Sequence, residues 1–307
     1  MIQYLLKRVV LLIPVLLGLT VLVFSMRALI PGDPIDIMMM GQVSSQEHRD
    51  ELRAYFGLDR SLPAQYIHYM GHLFRGDLGT SIRTRQPVLD EIVARYPNTL
   101  KLAFSGLMVA VLLGVSAGVM AAVKKDGPID LICMSASLLG VSMPAFWLGL
   151  LLIFTLGVRI SWLPVMGSDT WRHLILPAFT LGFIYAAIIA RMTRSTMLEV
   201  LTQDYIRTAR AKGLSERVVI YKHALRNAVI PVVTILGLQL GIMLGGAFVI
   251  EVVFAFRGLG ELGVQSIQYR DFPMIQSITL VVAVSTVLIN LGVDLMYTFL
   301  NPQVRYG

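Results

Sequence analysis

The chain has 307 residues, of which 56% are hydrophobic and 15% charged. An average soluble domain carries about 25% charged residues, and the apolar residues here are bunched into long runs, so a soluble fold is excluded in favour of a membrane one. The net charge is +7. In a membrane protein Lys and Arg mark the cytoplasmic side before they mark nucleic acid, and no stacking aromatics are interleaved with these basic residues, which argues against a nucleic-acid partner.

Lys7 and Arg8 precede an apolar run from Val9 to Phe24, the outline of a signal peptide. No small-x-small cleavage site follows. The run leads into Met26-Arg27-Ala28-Leu29-Ile30-Pro31, so a retained first span is expected. A helix crossing the hydrocarbon core needs roughly 20 apolar residues, and six stretches approach that length: 9–30, 101–123, 131–157, 174–190, 229–250 and 277–299. Because backbone groups in lipid must be satisfied within the segment, such runs are helices. The expected fold is an all-α membrane protein with six transmembrane helices in one domain, 1–307.

Orientation follows from Lys and Arg in the short loops. With the N-terminus inside, the inner segments hold thirteen basic residues, including eight between 191 and 228. The short outer loops hold four, Arg159, Arg172, Arg257 and Arg270, and Arg27 and Lys101 raise this to six. Both termini are therefore expected to be cytoplasmic. Segment 31–100 is expected outside. Its Tyr55-Phe56-Gly57, Tyr66, Tyr69, Phe74 and Gly76-Asp77-Leu78-Gly79 suit a small ordered cap.

The inner loop 191–228 is the most informative stretch. Thr202 is expected to cap a short helix with Asp204 in its first turn, and Gly213 to end that helix in a left-handed conformation. Ser215 would then cap a second helix, with Glu216 near its positive end. On the first helix Tyr205, Ala209 and Lys212 fall near one face, and Ala209 with Gly213 makes a small pair at i,i+4. Small residues let a helix approach another backbone closely, as suits a knob docking into a partner's groove. The bland alternative is a solvated basic loop that enforces topology.

Asp204-Tyr-Ile-Arg-Thr-Ala-Arg-Ala-Lys-Gly213, followed by Lys222-His-Ala-Leu-Arg-Asn-Ala-Val-Ile-Pro231, resembles the coupling signature of bacterial ABC importer permeases. The likeness is to the dipeptide/oligopeptide/nickel branch. The general signature is Glu-Ala-Ala, three residues, then Gly. Arg207, Thr208 and Ala209 occupy the first three places and Gly213 the last, so Arg207 replaces the acid. Pro31-Gly-Asp-Pro34, Gly57-Leu-Asp59, Arg75-Gly-Asp-Leu-Gly79, Ser142-Met-Pro-Ala-Phe146, Arg191-Met-Thr-Arg-Ser195 and Asn301-Pro302 extend the resemblance along the chain. The spacing is most similar to the shorter, glutathione-importer-like members.

The resemblance implies a homologous sister permease, two cytoplasmic ABC ATPases and an extracytoplasmic solute-binding protein. It also implies a bacterial inner-membrane location. The residues implied to couple to an ATPase are Asp204, Tyr205, Arg207, Thr208, Ala209, Arg210, Ala211, Lys212, Gly213, Leu214 and Ser215. No Gly-x4-Gly-Lys-Ser/Thr phosphate loop occurs in the sequence, so ATP and Mg are expected on partner subunits, with no cofactor in this chain and no catalytic residue. The resemblance does not name substrate-binding residues or the solute.

Gly237, Gly241 and Gly245, and likewise Gly114 and Gly118, repeat at four-residue spacing, a pattern for close helix packing. Their faces meet either the sister subunit or the same chain. Pro144 and Pro231 lie in or beside spans, where a fixed kink or a hinge is expected. Asp294 and Glu251 are carboxylates in or at the end of spans, read as paired, gating or relay groups. Asp90 and Glu91 are adjacent and point apart, which does not suit general acid–base work. The lone Cys133 excludes an internal disulfide and reads as a packing residue. The five His residues are scattered, without zinc spacing, so no metal is expected. A transporter working without ATPases would be expected to show internal halves or membrane-central charges, and an intramembrane enzyme a convergent nucleophile, base or metal cluster; neither stands out.

Overall fold

The computed structural model describes residues 2–29, 59 and 61–300. The motif residues Pro31–Pro34, Gly57, Leu58, Asn301 and Pro302 lie outside the described residues, as does the side chain of Asp294. Among the described residues the chain is helical, apart from an isolated bridge between Thr80 and Pro87.

In chain order the helices are α1 (Ile2–Leu29), α2 (Leu62–Phe74), α3 (Val88–Val123), α4 (Pro128–Ser142), α5 (Ala145–Arg159), α6 (Arg172–Leu201), α7 (Asp204–Ala211), α8 (Glu216–Val253), α9 (Leu259–Gln268) and α10 (Phe272–Leu300). Among the described residues four stretches are long and apolar enough to cross a membrane: Val88–Val123, Arg172–Leu201, Glu216–Val253 and Phe272–Val293. The pair α4 and α5 makes a fifth if counted as one broken span, and Val10–Ser25 is an apolar helix of shorter length.

The expected single helix over 131–157 is broken: α4 and α5 meet at 105°. Proline lacks an N–H and drives the residue before it out of the helical region. Met143 accordingly has φ −85°, ψ 129° and Pro144 φ −61°, ψ 135°. Pro231, by contrast, lies inside α8, which runs on past it.

The chain divides into two compact units. One comprises Asn98–Gly260 with Ser285–Gly307, the other Ile2–Pro97 with Glu261–Val284. In the first, Leu102, Leu176, Leu181, Met243, Ala247, Ile250 and Phe254 form a buried cluster. Helix association in lipid depends on close packing more than on expulsion of water, and glycine provides it where α3 crosses α6. A Cβ on Gly182 would stand 2.5 Å from the Gly106 carbonyl oxygen, one on Gly114 2.7 Å from Ile189 Cβ, and one on Gly118 2.6 Å from the Ala190 carbonyl oxygen. In the second unit, Thr20 on α1 hydrogen-bonds the Tyr66 hydroxyl at 2.8 Å, and Phe24 meets the Tyr66 ring edge-on at 5.4 Å between centroids. Buried Asp271 accepts hydrogen bonds from the Ser81 hydroxyl and, at 3.3 Å, from the Arg83 N–H. That anchors the tight turn over 79–88 to the start of α10.

Candidate functional site

The basic loop folds into a compact elbow. Helix α6 runs eleven residues beyond the expected end of its span at 190 and stops at Leu201. Thr202 is not the cap of the next helix, as the sequence suggested, but the terminator of α6: its hydroxyl donates back to the Glu199 carbonyl at 2.7 Å. Gln203, with extended φ and ψ, takes the N-cap position of α7. Asp204 does occupy the first turn of α7.

After α7 the chain reverses at Gly213, whose φ of +75° is the left-handed conformation that glycine adopts without steric cost. A Cβ at Gly213 would meet nothing within 4 Å, so the backbone conformation, and not crowding within the chain, calls for glycine there. Ser215, extended at φ −60° and ψ 144°, starts α8. A π-helical stretch, Val219–Ala224, joins the first turn of α8 to the long helix Leu225–Val253. Stretches of this kind frequently sit at functional sites.

The elbow is held by an apolar keel. Ile206 (0% exposed) and Ala209 (7%) face inward from α7 against Met197, Val219, Ile220, Ala224 and Ala228, with Val119 and Ala122 of α3 completing the cluster. Ala209, expected on one face with Tyr205 and Lys212, packs instead into a cluster of the chain's own residues. The surface of the elbow carries Asp204, Tyr205, Arg207, Thr208, Arg210, Ala211, Lys212, Gly213, Leu214 and Ser215, all exposed. Tyr205 and Lys212 thus remain on the outer side while Ala209, between them, turns in.

Two polar ties brace the elbow. Arg210 binds Glu216 across the turn, Nη2 to Oε1 at 2.7 Å and Nε to Oε2 at 3.2 Å. Hydrogen bonding to that carboxylate raises the Arg210 pKa above its ordinary value. Asn227 Nδ2 donates to the Tyr205 hydroxyl at 2.8 Å. Glu216 stands in the first turn of its helix as expected and also faces Arg210, a pairing whose available signal was opposite charges flanking a glycine turn. Beside the elbow, Arg194 grips buried Asp130 with two bonds of 2.7 and 2.6 Å. Asp130 also accepts the Asp126 N–H at 3.0 Å, which ties the start of α4 to α6.

The remaining singled-out residues lie elsewhere. Gly114 and Gly118 pack on α6 within the chain. A Cβ on Gly237 would stand 2.7 Å from Val293 Cβ, and one on Gly241 3.1 Å from Thr286 Cγ2. Gly245 has open space around it and shares an exposed face of α8 with Leu238, Ile242, Val249 and Val252. Glu251 is fully buried at the end of α8, where its Oε2 accepts the Gly260 N–H at 2.6 Å. Arg75 ends α2, Asp90 and Glu91 stand in the first turn of α3, and the Thr84 hydroxyl donates to Glu91.

Residues 114–306 match the family described as binding-protein-dependent transport system inner membrane component. Residues 1–103 match the N-terminal membrane component of such systems. Over 306 residues, covering 100% of both chains, the sequence is 45% identical to the glutathione transport system permease protein GsiC of Escherichia coli strain K12. It is 46% identical, with the same coverage, to the protein of that name from Salmonella typhimurium strain LT2. Among solved structures, an inward-facing form of the MetNI methionine ABC transporter matches with a TM-score of 0.59 at 22% identity, over 68% of this chain and 96% of that one. An amino acid ABC transporter crystallised with histidines matches at 0.54 and 20% identity, over 68% and 93%. These structural likenesses establish the fold.

Proposed function

The chain belongs to the family of binding-protein-dependent transport system inner membrane components, and on that premise we propose that it is the permease subunit of an ABC importer for glutathione or a similar small peptide. The observation that carries the substrate class is 45% identity along the whole chain to a glutathione permease. A nickel or other small-solute importer of the same family is the alternative, and an ATP-independent carrier the more remote one.

In this reading the chain crosses the inner membrane six times. The apolar α1 and the broken pair α4–α5 each count as one span, segment 31–100 lies in the periplasm, and both termini lie in the cytoplasm. The preponderance of Lys and Arg in the inner loops supports that orientation. A sister permease supplies the other wall of the path, and a periplasmic binding protein delivers the solute. Two cytoplasmic ATPases carry ATP and Mg.

The elbow at 204–218 is then the coupling element. Motion imposed on its exposed rim of Tyr205, Arg207, Arg210 and Lys212 passes through the keel of Ile206 and Ala209 into α3, α6 and α8. The open α8 face around Gly245 is the surface proposed to meet the sister permease. Reconstitution of the full complex in proteoliposomes tests the function. The expected result is uptake of labelled glutathione that needs both ATP and the binding protein. Uptake by the chain alone without ATPases would overturn it, and uptake of free nickel in preference to peptides would favour the alternative.

A further inference from the structure

We propose that His68 and His72 on α2, with Asp77 behind them, form a surface site for a divalent transition-metal ion of the zinc class. The two histidines are four residues apart on one helix, so their side chains rise from the same face. Their rings lie 4.5 Å apart between centroids, and the two Nε2 atoms face each other at 3.4 Å. A tetrahedral ion with bonds of roughly 2.0–2.1 Å to imidazole holds two such nitrogens about 3.4 Å apart. The spacing in the chain is therefore that of two corners of a zinc tetrahedron.

The proton placement fits as well. Asp77 Oδ2 lies 2.7 Å from His72 Nδ1, so Nδ1–H donates to the carboxylate and the lone pair of Nε2 points toward His68. A carboxylate behind a ligating imidazole fixes its tautomer and raises its basicity. Asp77 is itself positioned: Oδ1 accepts the Gly79 N–H at 2.9 Å, and the Asp77 N–H donates to the His72 carbonyl at 3.0 Å. Gly76 and Gly79, at φ +75° and +83°, turn the chain back so that Asp77 reaches the last turn of α2. Without an ion, His68 Nε2–H donates to His72 Nε2. With one, the ion sits between the two nitrogens and His68 keeps its proton on Nδ1.

The site is open. The side chains of His72 and Asp77 are 43% and 54% exposed, and among the described residues no group of three or more His, Cys, Asp or Glu side chains could hold a metal. The chain thus supplies two ligands and an orienting carboxylate, leaving the other positions to water or an incoming donor. The inference stands on this geometry and is independent of the solute carried.

The test uses the tag-free full chain in nanodiscs, stripped of metal with a chelator, then titrated with Co2+ as a spectroscopic probe and with Zn2+ in competition. Wild type is expected to bind one ion per chain more than the His68→Ala/His72→Ala double variant, with tetrahedral Co2+ absorption that Zn2+ erases. Each single His→Ala change is expected to weaken binding at least tenfold, and Asp77→Asn by about tenfold as an outer-shell change. His68→Gln and a circular dichroism spectrum check that loss of binding is not loss of fold. Equal stoichiometry and affinity in wild type and a folded double variant would overturn the site.

Discussion

The Arg210 guanidinium grips the Glu216 carboxylate across the turn at Gly213, with bonds of 2.7 and 3.2 Å. Both side chains are about half exposed, at 42% and 55%, and an exposed pair contributes roughly 0–1 kcal/mol. Its effect is therefore on the shape of the elbow more than on stability. Arg210→Glu is expected to leave the melting temperature within a few degrees of wild type yet raise the ATP hydrolysed per solute imported. The swapped double variant Arg210→Glu/Glu216→Arg is expected to recover most of the coupling. Calorimetry and paired hydrolysis and uptake assays on the reconstituted complex provide the check, and unchanged coupling in Arg210→Glu would rule the tie out.

Gly213 and Ala209 are expected to fail differently. The left-handed conformation at Gly213 costs a β-branched residue about 1–2 kcal/mol, whereas asparagine tolerates it. Gly213→Asn should therefore retain transport and Gly213→Val lose it, with assembly largely preserved in both. Ala209 is packed in the keel, so Ala209→Leu should cost about 1–3 kcal/mol by overpacking. Thermal unfolding in detergent separates the cases. A stable, active Ala209→Leu chain would contradict the inward orientation.

The crossing of α3 and α6 leaves no room for a side chain at Gly118, where a Cβ would stand 2.6 Å from the Ala190 carbonyl oxygen. Gly118→Leu should separate the helices and reduce the amount of folded chain several-fold, as read by monodisperse yield after detergent extraction. Gly118→Ala should be milder but still destabilising. Wild-type yield from Gly118→Leu would show that the helices do not need this approach.

Gly245 gives the opposite expectation. With open space at its Cβ position, Gly245→Leu should leave the isolated chain as stable as wild type. If the exposed α8 face meets the sister permease, the same change should reduce co-purification of the two permeases. Unaltered co-purification would instead leave that face to lipid.

The parts of this architecture that depend on neighbouring residues were legible in the sequence. Gly213 at a left-handed turn and Ser215 opening the next helix follow from local backbone chemistry. The cap at Gln203 instead of Thr202 shows the limit: Thr202 can bond backward or forward, and the end of α6 decides which. The inward turn of Ala209 was not legible, because an eight-residue helix buries whichever side meets Val219 and Ile220, and the π-helical stretch after Val218 places those two. Arg194 and Asp130 are separated by 64 residues, and only the folded chain brings them together. The histidines at 68 and 72 looked scattered by count. Their shared helix face appears once α2 is known to be a helix.

The 105° corner at Met143–Pro144 has a consequence for biogenesis. Helix α4 has 15 residues, and α5 has 8 continued by 7 more in a wider winding. At about 1.5 Å per residue each arm reaches roughly 22 Å, short of a hydrocarbon slab of about 30 Å. Neither arm alone is long enough to span, and both pack against α6, so this stretch is expected to settle in the bilayer together with that helix and not as two separate steps.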